Sequence, residues 1–515
     1  MKKGIRALVL LMIVAVLVTG FTGCSGASAK DETSDVEQTL VVGAAKDFKS
    51  GSEPKTLIFD SLTDSLEDMS SGPRLVTEWE KNVDFTEYTL KLKEGVTFSN
   101  GEKFNAEVAK FNIEYWPVYR DCGYIKKLKS IEVIDDNTLK VSFNGSYGNF
   151  IDELSKIWVT LPSGVDAKGN VVDWTGTGPY VLQEYQADMS ATLVRNETYW
   201  RTDKMPGIVK IDYKVITDEN SRVMAVKSGD VDVIGLTEHY TAMPFADVPD
   251  LQANKDLQVS ICEDYGTITT YSLNWAKGVC ADQNVRTAIA LGIDRDMLTS
   301  TVLYGVAEPT SRYVLPTYKF SQKEEALKYD LTKAKAALET SGYKDTDGDG
   351  IVEKDGQKLT LKMVVSDTQV NRSVGVFLQD ALKKIGIEVD LQVLDATTTK
   401  TALKAGDFDM STSHPWTGTV VSYLYWRGNS SVYDDYGIGY GVNEEMNNLT
   451  ETVSVTGDDK VREEEFDKIW KIQNDFVAGV PLYFSQRIFV AQSNIEGLKF
   501  CPNTAEVDLS DVVIK

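Results

Sequence analysis

"DTDGDGIVEKDG", residues Asp345 to Gly356, sets three aspartates at alternate positions ahead of a glycine. That spacing places carboxylates at the first, third and fifth positions of a loop, which is how a calcium-binding EF-hand loop begins. Asp345, Asp347, Asp349 and Glu353 are therefore candidate cation ligands, and Gly350 stands at the sixth position, where such a loop turns sharply. The twelfth position, which should carry a bidentate glutamate, is Gly356. A helical stretch, "LTKAKAALETSGY", precedes the loop, but an Asp355-Gly356 pair and the alternating "QKLTLKMVV" follow it. Asp-Gly between such runs signals a β-hairpin. An EF-hand needs a helix on the far side as well, so the stretch reads as an acidic turn into a hairpin. It has at most a weak structural calcium site, and no cofactor or resident metal is expected.

Other catalytic chemistry finds little footing. The chain has two histidines, His239 and His414, which excludes H-E-x-x-H and multi-histidine metal sites. It has no Walker A, G-x-G-x-x-G or G-x-S-x-G segment. Carboxylates abound, and two in a cleft would suit a glycosidase, but no spacing singles out a pair. Of the five cysteines, Cys122, Cys262, Cys280 and Cys501 show no C-x-x-C spacing; they are either disulfide-bonded in one of three pairings or buried as free thiols.

The fifth cysteine belongs to an export signal. Lys2, Lys3 and Arg6 precede an uncharged apolar run from Ala7 to Phe21, then Thr22-Gly23-Cys24 and a polar stretch. The run falls short of the ~20 apolar residues of a membrane span and reads as a signal-peptide core. Small residues before a cysteine resemble the bacterial lipobox, which implies cleavage before Cys24 and a diacylglycerol on its thiol. Residues 24–37 then form a flexible tether of roughly 20 Å root-mean-square span. Cleavage after residue 23 leaves 51 basic against 77 acidic residues, a charge of −26. Nucleic acid would be repelled.

A chain of 515 residues is too long for one core. Two distant stretches use nearly the same words: "KSGDVDVIG" (Lys227 to Gly235) and "KAGDFDMST" (Lys404 to Thr412). Each follows a helical segment, turns on Gly-Asp and enters a short strand, so each is expected in its own α/β lobe. Around the second copy, Leu359 to Ser366 alternates as a strand and Val374, Phe377, Leu378, Ala381, Leu382 and Ile385 fall at helical spacing. Gly386 stops that helix, Ile387 to Leu394 is another strand, and a shorter helix leads to Gly406. Strand, helix, strand, helix, strand implies parallel pairing. In the first lobe Tyr88, Leu90 and Leu92, and Leu139, Val141 and Phe143, alternate with polar residues as half-buried strands. Between them Phe104 to Trp116 reads as a helix ended by Pro117.

Seven stretches along nearly the whole mature chain resemble family 5 of the bacterial extracellular solute-binding proteins, the peptide and nickel group of ABC importer receptors. "LVTEWEKNVDFTEYTLKLKEGVTFSNGEKFNAEVAKFN" (Leu75 to Asn112) is similar to the family's signature region. "GTGPYVLQEY", "VRNETYW" with the Gly-Asp-Val-Asp turn, "LNWAKGVCADQNVRTAIALGIDRDML", "YDLTKAKAALETSGY" with its hairpin, "GDFDM" and "GVPLYF" follow in the family's order. The resemblance implies an α/β, two-lobed periplasmic-binding-protein clamshell of type II, in the large family 5 form with an extra subdomain in lobe one. Lobe one would span 38–274 and 485–515 and lobe two 275–484, with hinges near Tyr271 to Asn274 and Leu482 to Ser485. The protein would be a non-enzymatic, monomeric lipoprotein on the extracytoplasmic face of the cell membrane. It would deliver a solute to ABC permease subunits. A sensing receptor of the same fold, or a secreted glycoside-processing enzyme, are the alternatives.

The ligand class stays open. Peptide-binding members commonly place an aspartate after a "WTGD"-like turn. Here "HPWTGTVVSYLYW" has Thr419 and Ser422 where acids would stand. Nickel-chelate members use tryptophans, arginines and sometimes a histidine. By that resemblance the site would draw on Trp416 from lobe two and Tyr124 and Arg120 from lobe one, with His414, Trp426, Arg427 and Phe48 as further candidates, and a peptide, a metal chelate and another small polar solute all remain open.

Overall fold

Apolar residues at alternate positions make a strand bury one face, and here that pattern builds one large mixed sheet and one small antiparallel sheet. The computed structural model describes residues 38–515 apart from 51–52, 119–121, 238–242, 324, 326, 414–443, 478 and 500–506. The signal peptide, tether and Cys24 lie outside the described residues.

The first half opens with β1 (Thr39–Ala44) and then the small sheet: β2 (Val76–Lys81), β3 (Glu87–Leu92), β4 (Leu128–Asp135) and β5 (Thr138–Phe143), in the order β2-β3-β5-β4. Tyr88, Leu90, Leu92, Leu139, Val141 and Phe143 all face its core, as the alternation requires. Helix α1 (Ala106–Tyr115) packs over it. It begins later than its apolar spacing implies, because the Asn105 side chain caps it by accepting from Val108 N, and it ends in a tight turn that contains Pro117. The chain then returns through β6 (Tyr180–Gln186), β7 (Ser190–Arg195), β8 (Lys210–Val215), α2 (Glu219–Ser228) and β9 (Val233–Ile234).

The long strand β10 (Leu257–Leu273) leads out of this half. After α3 (Gln283–Gly292) and α4 (Leu331–Thr340) come β11 (Thr360–Ser366), α5 (Gln369–Lys383), β12 (Glu388–Leu394), α6 (Ala396–Lys404) and β13 (Met410–Ser413). β11 pairs in parallel with both β12 and β13, as the strand-helix order demands. Two helices, α7 (Glu444–Val455) and α8 (Asp459–Phe476), precede the second long strand, β14 (Gly479–Gln492). The strands join in the order β12-β11-β13-β10-β14-β9-β1-β8-β7-β6. β10 and β14 pair antiparallel along their length, with register breaks between Ile261 and Gly266 and between Thr269 and Thr270. Thr270–Leu273 pair with β13, while Val490 and Ala491 pair with β9, so both breaks lie between the two halves of the sheet.

The two Gly-Asp stretches hold equivalent places. Asp232 exchanges bonds with Val41: its N–H donates to Val41 O at 2.8 Å and its side chain accepts from Val41 N at 2.7 Å. Asp409 does the same with Lys362, at 2.9 Å each way. A neighbouring strand end donates to each aspartate's own carbonyl, Gln492 N in one half and Asn274 N in the other. Burial pushes both carboxyls up. The repeated words thus encode a repeated αβ corner.

Candidate functional site

The centre of the large sheet, where β10, β13 and β14 meet, is polar. Thr269, Thr270 and Ser272 on β10 and Ser411 on β13 are all buried. Ser411 Oγ donates to Val364 O at 2.7 Å. These hydroxyls alternate with the buried side chains of Tyr271, Leu273 and Met410. From Ser413, paired with Thr270, the chain passes directly into 414–443. His414, Trp416, Trp426 and Arg427 fall in that segment and lie outside the described residues, as does Arg120.

Two of the expected ligand contacts are described, and neither presents a surface. Phe48 is 0% exposed, its ring 5.5 Å from Trp174 and 5.3 Å edge-on to Tyr213. Tyr124 is also 0% exposed, T-shaped against Phe150, and its hydroxyl donates to Ile113 O at 2.7 Å. Burial pushes its phenol far up. Both are core residues in this structure, a correction to the expectation that they face a cleft. An aromatic with ring neighbours and a satisfied hydroxyl gains more from packing than from exposure.

Glu153 gave no signal in the sequence. Its buried carboxylate accepts from Gly123 N at 3.2 Å, Tyr124 N at 3.1 Å, Tyr147 OH at 2.9 Å and Asn149 Nδ2 at 3.2 Å. It pins the turn that follows Arg120. Burial raises its pKa, and Lys156 and the donated bonds only partly oppose this. Asp60 is a second hub. Arg74 meets one of its oxygens through Nε at 2.9 Å and Nη2 at 2.8 Å, while Thr177 Oγ1 and Trp200 Nε1 reach the other at 2.8 Å. Thr177 and Trp200 come from the "GTGPY" and "VRNETYW" stretches, so those motifs do structural work. A Cβ at Gly176 or Gly178 would collide with the Ile58 carbonyl.

The acidic loop folds as the hairpin its sequence predicts: Glu353–Lys354 pairs with Gln357–Lys358, and Asp355 and Gly356 both take positive φ, +55° and +74°. Ligand atoms of Asp345, Asp347, Asp349 and Glu353 lie within 4.8 Å of one another, a geometry that could hold a cation. Several of their oxygens are already engaged. Asp345 accepts from Gly348 N and Gly350 N, Glu353 accepts from Thr346 N, and Lys358 pairs with Asp349. The Lys358 ammonium and the Ile351 amide hold the Asp349 carboxyl below its usual range. Cys122, Cys262 and Cys280 are all buried; Cys501 lies outside the described residues. Among the described residues no helix is long and apolar enough to cross a membrane.

A family model for bacterial extracellular solute-binding proteins, family 5 Middle, matches residues 71–434. The oligopeptide-binding protein AppA of Bacillus subtilis (strain 168) is 25% identical, with 98% of this chain and 97% of that protein covered. The nickel-binding periplasmic protein of Escherichia coli (strain K12) is 23% identical, with 89% of each covered. The fold matches the crystal structure of NikA from Brucella suis in complex with Fe(III)-EDTA, with a TM-score of 0.84 at 23% identity over 93% of this chain and 100% of that one.

Proposed function

Because the chain belongs to family 5 of the bacterial extracellular solute-binding proteins, we propose that it captures a peptide or a nickel or other metal chelate between two lobes and hands it to a membrane permease. Members of this family are substrate-binding transport proteins that work with ABC permeases outside the cytoplasm. Solute binding is the function of this chain, and its fold is the two-lobed one.

The observation that carries the two-lobed capture reading is the pairing of β10 with β14. These are the long strands through which the sheet passes from one half to the other, and their register breaks twice, between Ile261 and Gly266 and between Thr269 and Thr270. The second break adjoins the proposed hinges near Tyr271 to Asn274 and Leu482 to Ser485, with lobe one as 38–274 and 485–515 and lobe two as 275–484.

The ligand would lie against the polar sheet centre and the segment that leaves it. Trp416 would supply a flat indole face, suited to a peptide backbone or a chelate. Trp426, His414, Arg427 and Arg120 are its proposed partners. The two relatives named for a ligand divide between oligopeptide and nickel. Thr419 and Ser422 stand where peptide binders carry acids, and His414 precedes Trp416 where the metal-contacting histidine of chelate binders follows it, so the class stays open between a peptide, a metal chelate and another small polar solute. The proposal also includes a monomer held at the outer face of the membrane by a lipid on Cys24.

Native mass spectrometry of protein purified from its own host tests the capture reading. The expected result is a bound mass in the range of a short peptide or a metal chelate. An empty protein, with no heat on titration by Ni²⁺ plus L-histidine or by a casein peptide digest, would overturn it.

A further inference from the structure

The end of helix α7 meets the opposite half of the molecule. The last carbonyls of a helix have no intrahelical donor, and usually a glycine or a polar group nearby in the chain satisfies them. At α7, Thr456 N and Arg462 Nε serve Thr452 O and Val453 O, but both donors to the final carbonyl come from far away. Val455 O accepts from Gly148 N at 2.8 Å and from Ser146 Oγ at 2.9 Å. Lys81 Nζ reaches Gly457 O at 3.3 Å, and Lys127 pairs with Glu451 at 3.0 Å. Two lysines of the small-sheet half thus stand at the negative end of the helix, where the macrodipole favours cations.

The two partners belong to different bodies. α7 and α8 pack on Tyr313 and Val314. The end of α8 is tied to α3 by Arg286 Nε, which donates to Phe476 O at 3.1 Å, and by Gln283 Nε2, which donates to Asp475 O at 2.7 Å. The 144–149 loop is fixed to the small sheet. Tyr147 N donates to Phe85 O at 2.9 Å, Tyr88 OH donates to Tyr147 O at 2.8 Å, and Glu153 holds Tyr147 and Asn149. Each surface is therefore anchored within its own half.

The backbones approach so closely that side chains are excluded. A Cβ built on Gly148 would overlap the Thr456 carbonyl, and one on Gly457 would overlap the Phe85 ring. Neither glycine has a positive φ, so neither is required by its own turn. Glycine is required there by the contact between the halves.

We propose that Ser146–Gly148 and the C-terminus of α7 form a closing latch, a helix cap supplied across the lobes that holds the solute-free protein partly closed. This rests on the two-lobed capture reading. When the lobes part, water replaces the cap at Val455, so the latch can open; when they meet, it adds a fixed preference for the closed form remote from the solute.

Pulsed electron paramagnetic resonance tests this on the mature chain, stripped of solute by unfolding and refolding. Spin labels would replace Met189 in one half and Val376 on α5 in the other, both well exposed at 64% and 59%, with Cys24 and Cys501 changed to serine. The wild type is expected to show a short-distance population. Gly148→Ala should lower the closed-to-open ratio by roughly tenfold or more, the scale of one overpacked contact. Ser146→Ala, which adds no bulk, should move it the same way by less and keeps the test valid if Gly148→Ala does not fold. Identical distances in wild type and variants, whether all open or all closed, would overturn the latch. So would a lowered unfolding temperature without a change in distance, since that marks ordinary packing. No solute is present, so this failure leaves the capture reading standing. A distance shift in a chain that binds nothing would remove the capture reading alone.

Discussion

Asp60→Ala should destabilise the protein without touching any proposed ligand contact. Asp60 is 0% exposed and Arg74 only 7%. Removing the carboxylate takes two guanidinium bonds from Arg74, which keeps weaker partners such as Asp64 at 3.5 Å. It also takes the acceptor from Thr177 Oγ1 and Trp200 Nε1. Breaking a buried ion pair on one side costs about 3–5 kcal/mol. Each stranded donor adds about 1–3 kcal/mol unless water enters the space. With Asp64 and entering water offsetting part of this, the expected loss is about 4 kcal/mol, a large share of a stability of about 5–15 kcal/mol. Unfolding entropy is about 2.1 cal/mol/K per residue, so for a unit of about 480 residues each kcal/mol shifts the midpoint by about 1 °C. The whole unit should therefore melt about 4 °C lower, and further if the small-sheet half unfolds by itself. Asp60→Asn should fall between, because its amide turns a donor toward Thr177 and Trp200. Differential scanning calorimetry of the three proteins reads the shift. A midpoint for Asp60→Ala within about 1 °C of wild type would show that the hub carries no weight and that the motifs meeting there have another purpose.

Three further outcomes follow from named groups. Burial pushes Asp508 up, but the bonds from Lys204 at 2.8 Å and from Ser510 outweigh it and hold the carboxyl at about 2. Its folded pKa lies below the unfolded value, so its contribution is complete above about pH 4 and is lost as pH falls through about 2. Discounted for the partial exposure of Lys204, Asp508→Asn should cost about 1–2 kcal/mol in urea at pH 7 and progressively less as pH falls through about 2. Asp347→Ala with Asp349→Ala should leave solute binding unchanged, measured by calorimetry with the solute found by mass spectrometry; loss of binding in the variant, together with rescue of the calcium-depleted wild type by added calcium, would make the loop functional. Trp416→Ala should weaken binding of that solute at least roughly tenfold with the fold intact. Trp79→Ala, half-buried over the small-sheet core, should mainly lower the unfolding temperature.

Local chemistry made much of the fold legible. The Asp355-Gly356 pair predicts a hairpin because only residues tolerant of positive φ can make so tight a turn, and that hairpin is present. The parallel run from β11 to β13 follows from a periodicity of two giving way to 3.6 and back. The repeated Gly-Asp-x-Asp stretches marked two equivalent αβ corners because the same side-chain bond closes each. The seven ordered stretches carried the family, and with it solute binding, since order along the chain survives where no single motif is specific.

What the sequence could not decide depends on residues that meet only after folding. Phe48 sits in a turn and Tyr124 in a single 3-10 turn, where nothing local distinguishes an aromatic facing a solute from one facing Tyr213 or Phe150. Glu153 and Asp60 are two acids among 77. Their importance arises from donors up to 140 residues away, whose convergence has no periodic signature. The same holds for the burial of Cys122, Cys262 and Cys280, and for the two register breaks between β10 and β14. Gly148 and Gly457 read as ordinary loop glycines, and only the approach of a helix end to a loop more than 300 residues distant shows why a side chain is excluded there. Sequence fixes what each segment can be through its own torsions and its own pattern of burial. Which charges are buried together, and which surfaces touch, is a property of distances that the chain acquires only when the segments pack.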